Sequence, residues 1–366
     1  MPGAAPQKPL RLLVVCPSWL GDCVMATPTL KLLRDNLPGA FIGGLVRPGM
    51  DELLAGLPYF DELHVARSSG VMGPKFVAAK IRPRRYDTTV LLTNSFSTAL
   101  IVRIAGIPRR IGYDRDARGL LLTDRIAPPK RTDGRRSPIA AVAYYQALAA
   151  HTLSRPVASV SNCETKLSLF VTPADQAAAN AILDRAGIST SAPRSILNPG
   201  GNNAAKRWPA DRFAAIAKHL HETRGLAILI NGSPGEADLV DDIAKQAGVP
   251  CTCLPRLGIT IGALKALVQG SALMVTNDTG PRHIAAALGV PLVSLFGPTD
   301  PRWTTIPAPG GEWILVADPT LPESEVADDH PERCAIERIT RESVREASDK
   351  AILASTTRKQ ALSEPS

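Results

Sequence analysis

Short apolar runs alternate with longer amphipathic segments from one end of the chain to the other. A short apolar run between turn residues is typical of a buried strand, and an apolar period near 3.6 residues is typical of a helix. In the first part of the chain this pattern predicts strands at residues 11–16, 41–46, 62–66 and 88–93, with helices at 27–37 and 140–150. In the second part it predicts strands at 195–197, 226–230, 273–276 and 291–296, with helices at 209–224, 236–247 and 261–268.

This alternation of strands and helices occurs twice, which predicts the α/β class with two Rossmann-like, doubly wound parallel-sheet domains. A chain of 366 residues is also too long for one ordinary core. We place the domains at residues 1–165 and 166–356, because Thr172-Pro173-Ala174-Asp175 has the N-cap, first-turn proline and acidic residue that begin a helix. The polar residues 357–366 are predicted to be a disordered tail.

One junction between a predicted strand and a predicted helix carries groups that can bind an anion. An apolar run is followed by Asp278, Thr279 and Gly280, and then by a helix that Gly289 ends. The amino end of a helix has unpaired N–H groups and a positive dipole, so this junction predicts an anion site. The alternative is a well-capped helix with no ligand. His283, one turn into the helix, either packs in the core or faces the anion.

Cations and flexible residues follow the first strand of the second domain, in the segment 198–209 with the sequence NPGGNNAAKRWP. Lys206 and Arg207 stand just before a helix, where a diphosphate would be bound well. The segment has neither the P-loop pattern nor the glycine fingerprint of dinucleotide-binding proteins. After the next strand, Glu236 either holds a ribose hydroxyl or is a solvent-facing acid at a helix start.

An acidic residue follows the first strand of the chain. Gly21 permits a sharp loop there, and Asp22 stands at the start of the next helical region. Asp22 either caps that helix or faces a ligand as a general base. A hydroxyl nucleophile requires such a base, because an alcohol is unreactive until its proton is removed. Trp19 is either a stacking surface for a ligand or part of the core.

Basic residues are concentrated in one part of the chain. The net charge is +8, and residues 101–140 contain ten Lys or Arg against four Asp. This excess favours an anionic partner, which is a phosphorylated or carboxylated substrate, a membrane surface or nucleic acid, unless the segment is only a solvated basic loop. Nucleic acid is disfavoured, because Tyr113 is the only aromatic residue in the segment. A nicotinamide-dependent oxidoreductase is disfavoured by the missing glycine fingerprint.

Other features of the sequence favour a cytoplasmic enzyme. The first nine residues lack the charged start and cleavage site of a signal peptide, and no apolar stretch approaches the roughly 20 residues that cross a bilayer. The six cysteines lack the spacing of metal ligands, which predicts reduced thiols and no metal site.

Taken together, these motifs resemble those of glycosyltransferase family 9, the bacterial lipopolysaccharide heptosyltransferases, over most of the chain. The segments that carry the resemblance are Pro17-Ser18-Trp19-Leu20-Gly21-Asp22, Tyr86-Asp87, Leu92-Thr93-Asn94-Ser95-Phe96, Ala105-Gly106-Ile107-Pro108, Arg110-Ile111-Gly112-Tyr113, Ala205-Lys206-Arg207-Trp208-Pro209 and Thr276 to His283. The first and third of them are more similar to heptosyltransferase II, which adds the second heptose, than to heptosyltransferase I.

The resemblance implies the GT-B architecture, with the two domains facing a cleft, the acceptor on the first and ADP-heptose on the second. It implies an inverting transfer, without metal or cofactor, of heptose from ADP-L-glycero-D-manno-heptose to the first heptose of the lipopolysaccharide inner core. Asp22 would be the base. Heptosyltransferase I, or another nucleotide-sugar transferase of the same family, is the alternative. The implied partners are ADP-heptose, the lipid A–inner-core acceptor and, peripherally, the inner face of the inner membrane, but no nucleic acid.

The resemblance, read with the charge pattern, also assigns residues to the two substrates. The donor-binding set is Lys206, Arg207, Glu236, Asp278, Thr279, Gly280 and His283. The acceptor-binding set is Ser18, Trp19, Asn94, Ser95, Arg115, Arg118, Arg135 and Arg136. Two departures bear on the donor sugar. Residues 200–205 lack the aromatic residue and Gly-Pro pair common in heptosyltransferase II, and Arg282 stands where the family often has an apolar residue.

Overall fold

The computed structural model describes residues 9–161 and 166–363. The chain divides into two compact units, residues 1–167 and 168–366. Each unit contains one six-stranded sheet, so the predicted α/β class with two doubly wound parallel sheets is confirmed. The predicted domain boundary after residue 165 falls at the end of the stretch 162–165, which, with Cys163, lies outside the described residues.

Six strands form the sheet of the first unit, β1 (Arg11–Val15), β2 (Phe41–Val46), β3 (Glu62–Val65), β4 (Thr88–Leu91), β5 (Arg109–Tyr113) and β6 (Asp124–Ile126). The helices of this unit are α1 (Leu20–Met25), α2 (Thr27–Asn36), α3 (Met50–Leu54), α4 (Gly73–Ile81), α5 (Phe96–Ile104), α6 (Ala141–Thr152) and α7 (Val157–Ser161). The strand order is β3-β2-β1-β4-β5-β6, and every neighbouring pair is parallel.

The sheet of the second unit contains β7 (Arg194–Asn198), β8 (Ala227–Ile230), β9 (Cys251–Cys253), β10 (Leu273–Asn277), β11 (Leu292–Phe296) and β12 (Glu312–Val316). Its helices are α8 (Pro173–Arg185), α9 (Ala210–Arg224), α10 (Ala237–Ala247), α11 (Ile261–Gln269), α12 (Gly280–Ala287) and α13 (Arg341–Ser363). The order is β12-β11-β10-β7-β8-β9, again with parallel neighbours throughout.

Both sheets have the strand order of the Rossmann fold, because in each the first and fourth strands are neighbours and the order reverses between them. The central strands are buried along their whole length, as in β4, β7 and β10, which fits a sheet covered by helices on both faces. Ligands of such sheets bind outside the carboxyl ends of the strands where the order reverses. Ligand-binding residues are therefore expected after β1 and β4 in one unit and after β7 and β10 in the other.

Local signals in the sequence explain several element boundaries. Thr172 accepts a hydrogen bond from the backbone of Asp175, and the Asp175 carboxylate accepts one from the backbone of Thr172, so the predicted start of α8 is confirmed as a capping box. Gly289 follows α12 at a φ of 70°, the left-handed conformation that glycine adopts most readily at a helix end.

The structure also bears on two predictions from the sequence, a disordered carboxyl-terminal tail and the absence of a membrane-spanning segment. Helix α13 continues to Ser363, so residues 357–363 are helical where a disordered tail was predicted, because this segment contains no glycine or proline. Residues 364–366 lie outside the described part. Among the described helices, none is long and apolar enough to span a bilayer.

Candidate active site

An acidic side chain lies at the carboxyl end of β1, where the strand order of the first unit reverses. Asp22 is in the first turn of α1, and its side chain is partly buried. Its Oδ1 accepts a hydrogen bond of 3.0 Å from the hydroxyl of Tyr145 on α6. Burial, followed by the charge of Asp22, raises the pKa of Tyr145 well above its ordinary value. The phenol therefore stays protonated and donates to the carboxylate.

The adjacent loop after β4 is fixed by a buried arginine. Arg118 has no exposed surface, and its guanidinium donates to the carbonyls of Tyr113 and Thr93 and, at 3.0 Å, to Oδ1 of Asn94. Burial lowers the pKa of Arg118 to about 10, so it is still charged at neutral pH. The assignment of Arg118 to acceptor binding is corrected, because its donors are used inside the unit to hold Asn94 and its loop.

The other predicted acceptor residues of this unit differ in their exposure. Trp19 is 62% exposed, which excludes the alternative that it belongs to the core. Ser18 is partly buried, and Ser95 is the exposed N-cap of α5. Asn94 accepts a second hydrogen bond, of 3.2 Å, from the hydroxyl of Tyr144.

The three other basic residues assigned to the acceptor lie in the loops beyond β5 and β6. Arg115 is partly exposed and pairs with Asp116 at 3.3 Å. Arg135 and Arg136 are exposed on a short hairpin, in which Arg136 forms an antiparallel bridge with Lys130. The structure thus brings Asp22 and Asn94 to the same edge of the sheet and places Arg135 and Arg136 on a separate exposed loop.

In the second unit, the carboxyl ends of β7 and β10 are joined by a buried amide network. The side-chain amide of Asn198 donates to Thr276 at 3.2 Å and to the hydroxyl of Thr279 at 2.8 Å. Its oxygen accepts from the amide of Asn231 at 2.7 Å. Thr279 is the N-cap of α12, so this network fixes the amino end of that helix. The N–H groups of Thr279 and Gly280 have no acceptor among the described residues, which leaves them able to bind an anion.

Two of the predicted donor-binding residues contact each other beside this helix end. Nζ of Lys206 lies 3.1 Å from Oδ2 of Asp278. Asp278 is 6% exposed, and Oδ1 of the same carboxylate accepts from the Thr304 hydroxyl at 3.2 Å. Burial acts to raise the pKa of Asp278, but the charges of Lys206 and Arg282 outweigh it and hold the pKa below its ordinary value. Asp278 is thus an ionised carboxylate that orients Lys206.

The arginine that departs from the family pattern is not a free cation. Arg282 is fully buried and donates to both carboxylate oxygens of Glu312, at 2.6 and 3.1 Å, and to the Thr304 carbonyl at 2.9 Å. It also lies over the ring of Phe296, with its guanidinium carbon 4.9 Å from the ring centroid. Arg282 therefore connects α12 to β12 and adds no unpaired charge at the amino end of α12, where the sequence predicts an anion site.

His283 is buried beside these charges. It is 3% exposed, and its Nδ1 has no hydrogen-bond partner among the described residues. Burial, and after it the charge of Arg282, lowers its pKa to about 3. The imidazole is therefore neutral at physiological pH and packed in the interior, and a role toward an anion stays a prediction.

Glu236 stabilises the loop after β7 through hydrogen bonds. Its Oε1 accepts from the N–H of Gly201 at 2.8 Å, and its Oε2 accepts from the N–H and hydroxyl of Ser233. Burial acts to raise its pKa, but these hydrogen bonds outweigh burial and hold the pKa low. A side chain at Gly200 would overlap this carboxylate. Arg207 donates to the carbonyl of Gly201 at 2.7 Å, so both residues shape the loop whether or not they contact a ligand.

Some partners at these sites were not identified from the sequence. Tyr145, Asn198, Asn231, Thr304 and Glu312 were not assigned a role, although each contacts an assigned residue or its neighbour. Asn198 and Asn231 stand at or just after the ends of predicted strands, which is a signal in itself, whereas Tyr145 and Glu312 come from elements distant in sequence. In the described part of the chain, no group of three or more His, Cys, Asp or Glu side chains is arranged to hold a metal ion.

Comparison with known proteins agrees with this arrangement. Residues 76–326 match glycosyltransferase family 9 (heptosyltransferase). Lipopolysaccharide heptosyltransferase 2 of Escherichia coli K12 is 28% identical over 312 residues, which cover 81% of this chain and 85% of that protein. Lipopolysaccharide heptosyltransferase 1 of Pseudomonas aeruginosa PAO1 is 30% identical over 315 residues, 81% of each chain.

A solved structure supports the same assignment. The structure of E. coli ADP-heptose LPS heptosyltransferase II superposes with a TM-score of 0.75 at 25% sequence identity and covers 95% of this chain and 100% of that one. The architecture is therefore that of the GT-B heptosyltransferases. The matched family segment spans more than half of the chain, from α4 to the residues beyond β12. The chain belongs to glycosyltransferase family 9 (heptosyltransferase) and is a glycosyltransferase.

Proposed function

We propose that this enzyme is an inverting lipopolysaccharide heptosyltransferase that moves heptose from ADP-L-glycero-D-manno-heptose to the first heptose of the inner core. The names of the relatives support a lipopolysaccharide acceptor, and the type 2 enzymes of E. coli and of Haemophilus influenzae are among them. The observation that carries the mechanism is the position of Asp22, a carboxylate held by Tyr145 where the strand order of the first unit reverses.

In this mechanism Asp22 is the general base. Its carboxylate takes the proton from the acceptor hydroxyl while the hydroxyl oxygen forms a bond to the anomeric carbon of the donor. The bond from that carbon to the diphosphate oxygen breaks, and ADP leaves with the electron pair. Inversion requires the base and the leaving group on opposite faces of the sugar, and we propose that Asp22 is that base.

The donor side stabilises the departing charge without a metal ion. Lys206 is oriented by Asp278, and the N–H groups of Thr279 and Gly280 lie at the positive end of α12. Because Asp278 offsets the charge of Lys206, and Glu312 that of Arg282, the site is nearly neutral before the donor binds. We infer that the diphosphate replaces Asp278 as the ion-pair partner of Lys206. The neutral His283 then donates or accepts a hydrogen bond beside the diphosphate.

Further substrate contacts are proposed for the predicted acceptor residues of the first unit. Trp19, Ser18, Asn94 and Ser95 would bind the acceptor near Asp22, and Arg115, Arg135 and Arg136 would contact the phosphates and carboxylates of the inner core. Such an acceptor is anchored by lipid A, so we propose that the enzyme works in the cytoplasm against the inner face of the inner membrane.

The order of heptose addition tests this proposal. The enzyme is incubated with ADP-heptose and with acceptors that carry either no heptose or one, and the products are identified by mass spectrometry. A type 2 enzyme extends only the acceptor with one heptose. Extension of the heptose-free acceptor would instead assign the chain to the type 1 activity, which the 30% identity to the P. aeruginosa enzyme favours. Transfer that stops when EDTA is added would refute the metal-independent mechanism.

A further inference from the structure

We propose that the exposed face of α4 and the loop before it dock on an anionic phospholipid bilayer. This surface, here called the α4 patch, consists of Arg67, Val71, Met72, Lys75, Phe76 and Lys80. It is separate from the basic residues of the segment 101–140 and from the sites described above. The proposal is argued from exposure and charge in the first unit and holds whichever sugar the enzyme transfers, while its link to a membrane-held acceptor rests on the proposed function.

The apolar side chains of the α4 patch are unusually exposed. Val71 is 96% exposed, Phe76 69% and Met72 48%. Met72 and Phe76 are four residues apart, so they lie on the same side of the helix. The opposite side of α4 is buried, as Val77, Ala78 and Ile81 show. The exposed side is therefore a second apolar face, which the folding of this unit leaves open.

The charges around these apolar side chains have one sign. Residues 63–86 contain six Lys or Arg and no Asp or Glu. Arg84 pairs with Glu62, but Arg67 and Lys75 are exposed and have no acidic partner among the described residues. Exposed apolar residues flanked by Lys and Arg are the pattern of interfacial segments that enter a lipid headgroup region with negative charge. A protein partner with this surface would have to be strongly acidic.

The position of the α4 patch in the fold suits an acceptor that is held in a membrane. The loop before α4 follows β3 and therefore lies at the carboxyl edge of the sheet, as does the loop that carries Asn94. The hydroxyls of Ser68 and Ser97 are 3.3 Å apart, which links the loop to the start of α5. Phe96, 47% exposed, is next to Ser97. Docking through the α4 patch would bring the proposed acceptor residues close to the lipid surface.

Flotation with vesicles tests the proposal on the full-length enzyme. Vesicles of phosphatidylcholine alone are compared with vesicles of phosphatidylcholine and phosphatidylglycerol, with no sugar substrate present. We expect binding only to the second kind. Lys75→Gln should weaken partitioning about fivefold, since a basic residue near such a surface contributes about 1 kcal/mol. Phe76→Ser should weaken it about tenfold or more, because a large apolar group no longer enters the interface.

Matched variants in the second unit serve as controls. Leu353 is 67% exposed, and the side chain of Lys350 is 69% exposed. Leu353→Ser and Lys350→Gln should therefore leave flotation unchanged, and all four variants should keep normal turnover on a soluble acceptor. Unchanged flotation of Phe76→Ser would overturn the proposal. A change in sedimentation of Phe76→Ser without loss of vesicle binding would also overturn it and would identify the α4 patch as a contact between copies of the chain.

Discussion

At the scale of single residues, three carboxylates follow strand ends and differ in what surrounds them. Asp22 accepts from the neutral phenol of Tyr145. Asp278 lies between two cations, Lys206 and Arg282. Glu236 accepts from backbone N–H groups and a hydroxyl. A carboxylate held by strong cations or by several N–H groups is a poor base, because its ionised form is stabilised. Asp278 and Glu236 are therefore poor bases, and we propose Asp22 as the residue that takes the proton.

Tyr145 is expected to act as a positioning residue for Asp22. Replacing Tyr145 by Phe removes the 3.0 Å hydrogen bond and leaves the ring in place. A carboxylate with one fewer donated hydrogen bond takes up a proton more readily, so the acid limb of the kcat/KM profile should move to higher pH. Turnover at neutral pH should fall by about tenfold or less, since the base itself remains.

Tyr113→Phe is the matched control for this change. Tyr113 is also buried, and its hydroxyl donates to the carbonyl of Tyr144 at 2.9 Å, so the substitution removes one hydrogen bond of a similar kind away from Asp22. A pH profile for Tyr145→Phe that coincides with that of Tyr113→Phe would show that Tyr145 has only a structural role.

His283 should make the stability of the protein depend on pH. Its pKa is about 3 in the folded protein and 6.5 in an unperturbed chain. Between these values the unfolded state binds the extra proton, so stability is complete above about pH 6.5 and is lost as the pH falls. At pH 5 the loss is about 2 kcal/mol, from about 1.4 kcal/mol per pH unit.

Urea unfolding at pH 7 and pH 5 measures this effect. In His283→Gln, the loss of stability between the two pH values should be smaller by about 2 kcal/mol than in the original protein. His151→Gln, at a histidine whose side chain is 43% exposed, is the control for the loss of an imidazole from a more exposed position. If His283→Gln and the original protein lost the same free energy of unfolding between pH 7 and pH 5, the result would contradict a buried neutral imidazole at position 283.

The sequence indicated which charged and polar residues lie at the candidate sites, but it did not indicate which side chains contact them. Asp22, Lys206, Asp278 and Thr279 follow strand ends, and strand ends can be recognised from short apolar runs. For the other predicted residues, burial in the fold determines whether the side chain is able to contact a ligand. Nothing local distinguishes Arg118, which is buried, from the neighbouring basic residues, because its partners are carbonyls and an amide that only the folded loop brings together.

At the scale of elements, α12 is held at both ends of its first turn. The amide network of Asn198 fixes its N-cap, Thr279, and the pair Arg282–Glu312 ties the turn to β12. Both contacts connect elements far apart in the sequence. The amino end of α12, where we propose that an anion binds, is therefore already ordered without a ligand, which lowers the free-energy cost of ordering it on binding.

Breaking the pair between α12 and β12 should destabilise the second unit strongly. Glu312→Gln removes the bidentate partner of a fully buried guanidinium and should cost about 3 kcal/mol or more of unfolding free energy, because a buried charge loses its compensation. Urea denaturation measures the loss. Arg256→Gln removes an exposed arginine that pairs with Asp238 and Asp241 and should cost far less, because water screens an exposed ion pair. Similar losses for both variants would contradict this account of Arg282.

The strands that the sequence analysis did not predict lie mainly at the edges of their sheets. Strands β6, β9 and β12 lie at or near the ends of their sheets and are only partly buried, and β5 begins with two arginines. Strands β6 and β9 lack the apolar run by which the central strands were found. Strand β12 contains such a run, at residues 313–316, and was nevertheless not predicted. The central strands β1, β2, β4, β7 and β10 were predicted to within two residues at each end.

At the scale of the whole molecule, the positive charge lies in two regions of the first unit. One is the α4 patch, in which basic residues surround apolar ones. The other is the segment 101–140, in which Arg118 is buried and Arg109 pairs with Asp124, so that the exposed charge is smaller than the sequence suggests. We assign the first region to the bilayer and the second, through Arg135 and Arg136, to the anionic acceptor.

The double variant Arg135→Gln, Arg136→Gln tests the second assignment. The acceptor KM should rise about tenfold, since each charged hydrogen bond contributes about 1.5 kcal/mol or more in a dry site and less in an exposed one. The effect should shrink at high salt, and the dissociation constant of ADP-heptose should not change. Equal losses of donor and acceptor affinity would contradict a role confined to the acceptor. Arg256→Gln serves as the control for a lost surface charge.

The most direct test of the account is the turnover of Asp22→Asn, measured together with its affinity for ADP-heptose. The amide preserves the size of the side chain and can still accept the Tyr145 hydrogen bond, but it cannot take a proton. We predict that kcat falls by about 10² to 10⁴, while the dissociation constant of ADP-heptose stays within about twofold of the original. A variant that binds the donor normally and keeps the original kcat would contradict Asp22 as the base.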